Sequence, residues 1–239
     1  MSTLVYKRVL LKLSGEMLMG DSGYGISAEV LERVSNLIKP LHAIGCEIGV
    51  VIGGGNIFRG ITGTKSGFDR VTGDQMGMLA TVINALALCD AFQSVGVPSS
   101  VATSFEISGI TSAFNAKTVR KKLKNGEVVI FGGGTGSPFF TTDSAGALRA
   151  AELNANLYIK ATKVDGIFDK DPEKFADAIK YDSISYTDCL NKNLQVMDST
   201  AFSLCRDNSI PIIVCNLFKK DNILNAINGQ TVGTLVKGE

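Results

Sequence analysis

One histidine in 239 residues leaves a Ser-His-Asp or His-metal mechanism almost without material, and that residue, His42, falls inside a predicted amphipathic helix as a surface or boundary side chain. The five cysteines, Cys46, Cys89, Cys189, Cys205 and Cys215, form no C-x-x-C pair. Reduced, buried thiols are expected instead of zinc ligands or disulfides. Charge of one sign is also missing: 24 Lys plus Arg stand against 23 Asp plus Glu, so no global field argues for nucleic acid or a membrane surface. Any charged ligand must therefore be met locally. The N-terminal stretch "MSTLVYKRVL" has no apolar core of signal-peptide length, and a cytoplasmic location is expected. The longest uncharged stretch, 75–89, falls short of the ~20 residues of a membrane span and is read as a buried helix. Two common nucleotide motifs are absent as well. In "GITGTKS" Thr64 stands where the Walker pattern needs glycine before lysine. The pairs Gly53, Gly55 and Gly132, Gly134 are followed by Phe58 and Ser137 where a dinucleotide fingerprint needs its third glycine.

What the chain does contain is alternation of short apolar runs with helical periodicities. Strands are expected at "RVLLKL" (8–13), "EIGVVI" (47–52), "SSVAT" (99–103), "EVVIF" (127–131), "NLYIK" (156–160), "PIIVC" (211–215) and "GTLV" (233–236). Most are apolar on both faces, as buried strands of a parallel sheet are. Ser27 is placed to cap a helix whose Val30, Leu31, Val34, Leu37, Ile38, Leu41 and Ile44 recur at 3.6-residue spacing. Further helices are expected at 75–95, 112–124, 143–154 and 219–228, and the basic run Arg120 to Lys124 reads as a solvated face. No repeat, low-complexity segment or linker divides the chain. The expectation is a three-layer α/β/α sandwich with a mainly parallel central sheet, one domain over 1–239.

Chemistry-bearing residues collect at the predicted strand ends, where such sheets bind ligands. The first ends in "KLSG" (Lys12 to Gly15), the second in "GGGN" (Gly53 to Asn56), the fourth in "GGGTGSPFFTTD" (Gly132 to Asp143) and the fifth in "KATKVDG" (Lys160 to Gly166). Glycines let backbone N–H groups approach an anion, and helix N-termini beyond such loops add partial positive charge. A single triple glycine also makes ordinary turns. Two of them, with Lys12, Arg59 and Lys160 beside strand ends, point to several phosphates held at once. Phosphoryl transfer asks mainly for in-line positioning and positive charge. An acceptor that is already an oxyanion needs no histidine base, which favours a phosphate acceptor over an alcohol.

Together "KLSGE", "GGGNIFRG", "GDQMGMLATVINALAL", "GTGSPFFTTDSA" and "KATKVDGIFDKDP" resemble the bacterial UMP kinases of the amino-acid kinase superfamily, from Lys7 to about Val236. The lysine-bearing first strand is shared across the superfamily, whereas "GDQMGMLAT" and "TGSPFFTTD" are closer to uridylate kinases. The resemblance implies ATP + UMP giving ADP + UDP in de novo pyrimidine nucleotide synthesis, with Mg²⁺ carried as MgATP. It divides the domain into an N-terminal part mainly for UMP and a C-terminal part mainly for ATP. It assigns Lys12, Leu13, Ser14, Gly15, Gly55, Arg59, Thr162, Phe168 and Asp171 to ATP. It assigns Gly54, Asp74 (through ribose hydroxyls), Thr135, Gly136, Ser137, Pro138, Phe139, Phe140, Thr141 and Thr142 to UMP. Catalysis would rest on Lys12 as principal cation, with Arg59, Asp143 and Lys160, and Asp198 as a weaker candidate.

Blander readings stand beside these. Asp143 and Asp74 each suit a helix N-cap, Lys160 suits a strand-end surface lysine, and Asp165-Gly166 suits a plain turn. Phe139 and Phe140 fit packing under the loop as well as base contact. Met76, Met78, Leu79, Val82, Ile83, Leu86 and Leu88 offer more apolar surface than one stripe needs, so the 75–95 helix serves the core, a subunit contact, or both. The family implies a homohexamer built of dimers, with GTP activating and UTP inhibiting, and links Gly20, Asp21, Ser22, Gly23, Tyr24 and Gly25 to activation. Where relatives hold GTP with basic or aromatic residues, this chain has Cys89, Gln93, Ser100, Ala116 and Glu127, so GTP activation is expected to be weak or absent, or GTP to bind through different residues. Ser137 replaces an asparagine common in relatives, and one hydroxyl hydrogen bond in place of an amide's should alter UMP affinity without abolishing function. Two rivals remain: kinases of the same fold with a carboxylate acceptor, and non-catalytic anion storage or sensing.

Overall fold

The computed structural model describes residues 4–58, 67–192, 194 and 196–238. Arg59, expected at the nucleotide phosphates, lies outside the described residues. A nine-stranded sheet runs β4-β3-β5-β2-β1-β6-β8-β9-β7. Its strands are β1 Arg8–Leu13, β2 Glu47–Ile52, β3 Ser99–Thr103, β4 Ser112–Ala113, β5 Val128–Gly132, β6 Leu157–Thr162, β7 Ser183–Ser185, β8 Ile212–Asn216 and β9 Thr234–Lys237. Every pairing is parallel except β8 with β9. The predicted sandwich is present, with one antiparallel pair where the chain returns at "GTLV".

Alternation along β1 sets the layers. Val9, Leu11 and Leu13 face one apolar cluster and Leu10 the other. The first cluster is closed by α1 (Ala28–Ala43), α2 (Arg70–Ser94) and the short α7 (Asn222–Ile227). The second is closed by α3 (Ala116–Lys124), α4 (Thr142–Leu153), α5 (Tyr186–Asn191) and α6 (Ser199–Asp207). Strands buried on both faces need this double cover.

Caps explain where several helices begin. Ser27 accepts from the Val30 N–H as expected, and Val30, Val34, Ile38 and Leu41 are buried, while Ile44 falls beyond the helix and is exposed. The long helix starts at Arg70, five residues before the predicted 75, because Asp69 caps it through the Val71 and Thr72 N–H groups. Asp74 is thus inside a helix and is no N-cap. The 112–124 prediction merged two elements: Ser112–Ala113 pairs at the sheet edge, and Asn115 caps a helix that starts at Ala116. Asp143 is no cap either, since Thr141 takes that role. β7, α5 and α6 had no counterpart in the sequence reading.

All five cysteines are buried and none is paired. Burial pushes the Cys46, Cys205 and Cys215 thiols up to about 12 and Cys189 to about 11, consistent with inert packing. His42 is half-buried and its Nε2 lies 2.8 Å from the Gly126 carbonyl. Among the described residues, α2 alone is long and apolar enough to cross a membrane, yet it carries Arg70, Asp74 and Asp90 and packs one side against the sheet.

Candidate active site

β1 and β6 are neighbours in register, and Lys12 is the direct partner of Lys160. Both ammonium groups therefore arise side by side at the same rim of the sheet. Between them stands Asp143, from the first turn of α4: its Oδ1 lies 2.7 Å from Lys12 Nζ and its Oδ2 lies 2.6 Å from Lys160 Nζ. Lys160 also donates to the Val196 carbonyl. Helix α4 reaches this depth because Gly146 lets it lie directly on Tyr158, where any Cβ would fall 2.6 Å from the ring.

Burial alone would raise the Asp143 pKa, but Lys12 and Lys160 outweigh it and hold the carboxyl below its ordinary value. Burial, with Lys12 adding, lowers the Lys160 pKa against the pull of Asp143. Two lysines share one ionised carboxylate, so the centre favours an arriving anion. The surface-lysine reading of Lys160 fails, since its side chain is mostly buried.

Three cavities line this rim. One of about 230 Å³ is bounded by Lys12, Ser14, Glu16, Met17, Lys160 and Thr162. On one side, a cavity of about 510 Å³ is lined by Thr162, Gly166, Phe168, Asp171, Lys192 and Leu194 among others. On the other, a cavity of about 160 Å³ is lined by Gly54, Phe58, Asp74, Gly77, Met78, Thr81, Gly134, Thr135, Ser137, Phe140, Thr141 and Thr142. Thr162 borders both the first and the second, with its hydroxyl turned onto the Val164 carbonyl. Of the residues expected to hold ATP, Thr162, Phe168 and Asp171 line the largest of the three and Lys12 and Ser14 the one that both lysines border, while Gly54, Asp74, Thr135, Ser137, Phe140, Thr141 and Thr142 of the UMP set line the smallest; Leu13, Gly15, Gly55, Gly136, Pro138 and Phe139 line none of the three.

Individual expectations fare differently. Gly15 and Gly53 are required by each other: a Cβ on Gly15 would lie 2.6 Å from the Gly53 carbonyl oxygen. Gly54 lets the loop touch α2, its Cβ position being 2.8 Å from the Gly77 carbonyl oxygen. Close packing of three segments, as well as access to an anion, demands these glycines. Gly133, Gly134 and Gly136 have positive φ, as the turn needs. Asp165-Gly166 is a turn whose glycine passes tightly over Thr234, while Asp165 lies 3.5 Å from Lys219. Asp171 accepts from the Glu173 N–H and pairs with Lys174, which lower its pKa at an exposed position.

Phe139 and Phe140 part ways, and neither packs into the core. Phe140 lines the smallest cavity, half exposed, while Phe139 takes a left-handed φ of 71° with Arg70 over its ring. Asp74 holds that turn by accepting from the Phe139 N–H at 2.8 Å and from Arg70 at 2.9 Å. Asp198 caps α6 through the Ala201 N–H and accepts from the Thr141 and Ser144 hydroxyls. It clamps the start of α4, and with it Asp143, and does not reach the lysines through any of these bonds. Sequence reasoning missed Arg70, Lys192, Gly146 and a buried asparagine, Asn84. Asn84 alone carried a signal, a polar residue within the apolar "TVINALAL".

The 20–25 segment is a surface turn that returns to the rim at Gly25. Gln93 lies in the last turn of α2 and donates to the Ser99 carbonyl at 2.9 Å, while Ser100 near the start of β3 and Glu127 just before β5 are bonded by Lys122 at 2.8 Å and 3.2 Å, at the end of the sheet opposite the rim. Cys89 is buried beside Ser99, and Ala116 opens α3. No cluster of three or more His, Cys, Asp or Glu side chains able to hold a metal lies among the described residues. A Mg²⁺ brought on nucleotide phosphates needs only one or two protein oxygens. Asp143 Oδ1 fits as such a donor: it is buried at the rim and faces Lys12 Nζ at 2.7 Å.

A mainly parallel sheet with glycine loops, paired lysines and cavities at its strand ends defines an α/β protein built to hold phosphorylated ligands there. The profile of the amino acid kinase family matches residues 7–216, and the chain belongs to that family. The crystal structure of UMP kinase from Bacillus anthracis is similar at 38% identity with a TM-score of 0.95, covering 98% of this chain and 97% of that one. UMP kinase from Ureaplasma parvum follows at 33% identity and 0.90, covering 97% of this chain and 98% of that one. Uridylate kinase from Archaeoglobus fulgidus matches at 25% identity and 0.72, over 95% and 99%.

Proposed function

We propose that this chain is a UMP kinase, moving the γ-phosphoryl of MgATP to UMP to give ADP and UDP. The observation that carries the reading is the Lys12–Asp143–Lys160 centre, whose lysines line a cavity that shares Thr162 with the largest one, while Thr141 and Thr142, next to Asp143 in the chain, line the smallest. The largest takes the adenine nucleotide against Phe168 and Thr162. The smallest takes UMP, between Asp74 at one end and Thr141 and Thr142 at the other. The phosphates of both nucleotides then meet over Lys12 and the Gly53–Gly55 loop, with Arg59 as a further cation. Lys12 stabilises charge on the transferring phosphoryl, Lys160 shares that charge, and Asp143 keeps both ammonium groups aimed at it. The UMP phosphate oxygen attacks as an oxyanion, so no side chain removes a proton. Asp143 would hold the protein side of a Mg²⁺ carried on ATP, which would supply neutralisation of the phosphate charge.

The apolar strip Val71, Leu79, Ile83 and Leu86 on the outer side of α2 is exposed and supports a homo-oligomer, which we take to be the hexamer. Lys122, bonded to Ser100 and Glu127, supports GTP activation that is weak or absent, and we take UTP as an inhibitor. We place the enzyme in the cytoplasm, as a single domain, in pyrimidine nucleotide synthesis. The test is steady-state ADP release with MgATP against UMP, CMP, dUMP and acetylglutamate. Turnover with UMP, with dUMP much poorer through Asp74, is expected; turnover with acetylglutamate alone would overturn the reading.

A further inference from the structure

Asn84 and Asn56 form a closed pair of side-chain amides beneath the glycine loop. Asn84 is 0% exposed and Asn56 is 2% exposed. Asn84 Nδ2 donates to Asn56 Oδ1 and to the Gly53 carbonyl, each at 2.7 Å, while Asn56 Nδ2 donates to Asn84 Oδ1 at 3.0 Å and to the Gly25 carbonyl at 2.7 Å. Both amides thereby use every N–H they have. The backbone repeats the link, since the Gly25 N–H donates to the Asn56 carbonyl at 2.9 Å. A Cβ on Gly15 would sit 2.7 Å from Asn56 Oδ1, so the loop after β1 leans on the same pair.

Four segments converge here: the turn after β1, the loop after β2, the 20–25 turn and the middle of α2. A fully satisfied polar network in a low-dielectric interior holds one geometry, and a half-satisfied one leaves costly unpaired groups. Asn84 lies on the rigid helix, whereas its partners lie on loops. We propose that Asn84 is a positioning residue, which sets the Gly53–Asn56 loop where the two nucleotides meet and ties the 20–25 turn to that loop. The proposal rests on the kinase reading for its effect on rate, and on geometry alone for its effect on the loop.

The test compares the full chain with Asn84→Ala and with Asn84→Asp, which retains the acceptor for Asn56 and deletes the two amide donors. Amide hydrogen exchange is read on peptides covering 20–25 and 53–58, and calorimetry reports adenine-nucleotide binding. Both variants are expected to exchange faster in both peptides. Misplacement of reacting groups by a fraction of the loop's width costs up to ~100-fold, so kcat should fall ~10- to 100-fold while adenine-nucleotide affinity changes less than ~2-fold. Unchanged exchange at 53–58 in a folded variant would overturn the proposal, as would a kcat within ~2-fold of the parent when exchange has risen. If the parent protein makes no UDP from ATP and UMP, the kinase reading fails, and the exchange result alone then decides the role of Asn84.

Discussion

Replacing Asp143 by Asn removes the one negative charge between Lys12 and Lys160 while keeping the shape of the side chain. Each lysine contact is below 3 Å and largely buried. Breaking a buried ion pair by deleting one partner typically costs ~3–5 kcal/mol. For a chain of this size ~1 kcal/mol moves Tm by ~2–4 °C, so Asp143→Asn should lower Tm by about 6–20 °C. The asparagine can accept from one lysine only by turning its NH₂ toward the other, so the two ammonium groups splay. Losing one preorganised charge contact in a phosphoryl-transfer site typically costs ~10²–10³ in kcat. The folded Asp143 carboxyl is held below its ordinary pKa, so its stabilisation is present above ~3.9 and is lost as pH falls through the lower folded value. The stability gap between parent and variant, measured by urea unfolding at stepped pH, should therefore be constant near neutrality and shrink in acid. A variant with unchanged Tm and a kcat within ~3-fold of the parent would refute the shared-carboxylate argument.

Other consequences follow from single contacts. Gly54→Ala drives a methyl against the Gly77 carbonyl and Ala80, and overpacking of this kind costs ~1–3 kcal/mol, whereas Gly77→Ala meets open space and should raise stability by up to ~1 kcal/mol in thermal unfolding. Leu79→Asp combined with Ile83→Asp should reduce the mass measured by light scattering to that of a smaller assembly, since both side chains are about half exposed on one strip. Saturating GTP should change the initial rate less than the ~5-fold at the low end of allosteric coupling, because Lys122 is already engaged by Ser100 and Glu127, and the Glu127 carboxylate repels a triphosphate.

The buried strands and the rim they deliver were legible because apolar runs ending in glycine, lysine or hydroxyl residues carry both signals locally. The register that makes Lys12 and Lys160 neighbours was not, since pairing between β1 and β6 joins segments far apart in the chain. Asp143 and Asp74 looked like caps because a carboxylate near a helix start is ambiguous until the dihedral angles locate the first turn; Thr141 and Asp69 hold those roles. Helices α5 and α6 are short, and α6 opens on "STAF", too brief a stretch for periodicity to announce. The glycine loop was read as bare backbone for an anion, and the structure adds a second reason, that Gly15, Gly53 and Gly54 lie where neighbouring segments leave no room for Cβ.

The most direct test of the central claim is single-turnover formation of UDP from MgATP and UMP, followed for the parent and for Lys12→Met at matched nucleotide saturation. The account predicts UDP from the parent and a loss of ~10²-fold or more in the variant, with adenine-nucleotide binding retained. UDP formed at the parental rate without the Lys12 ammonium group would contradict it.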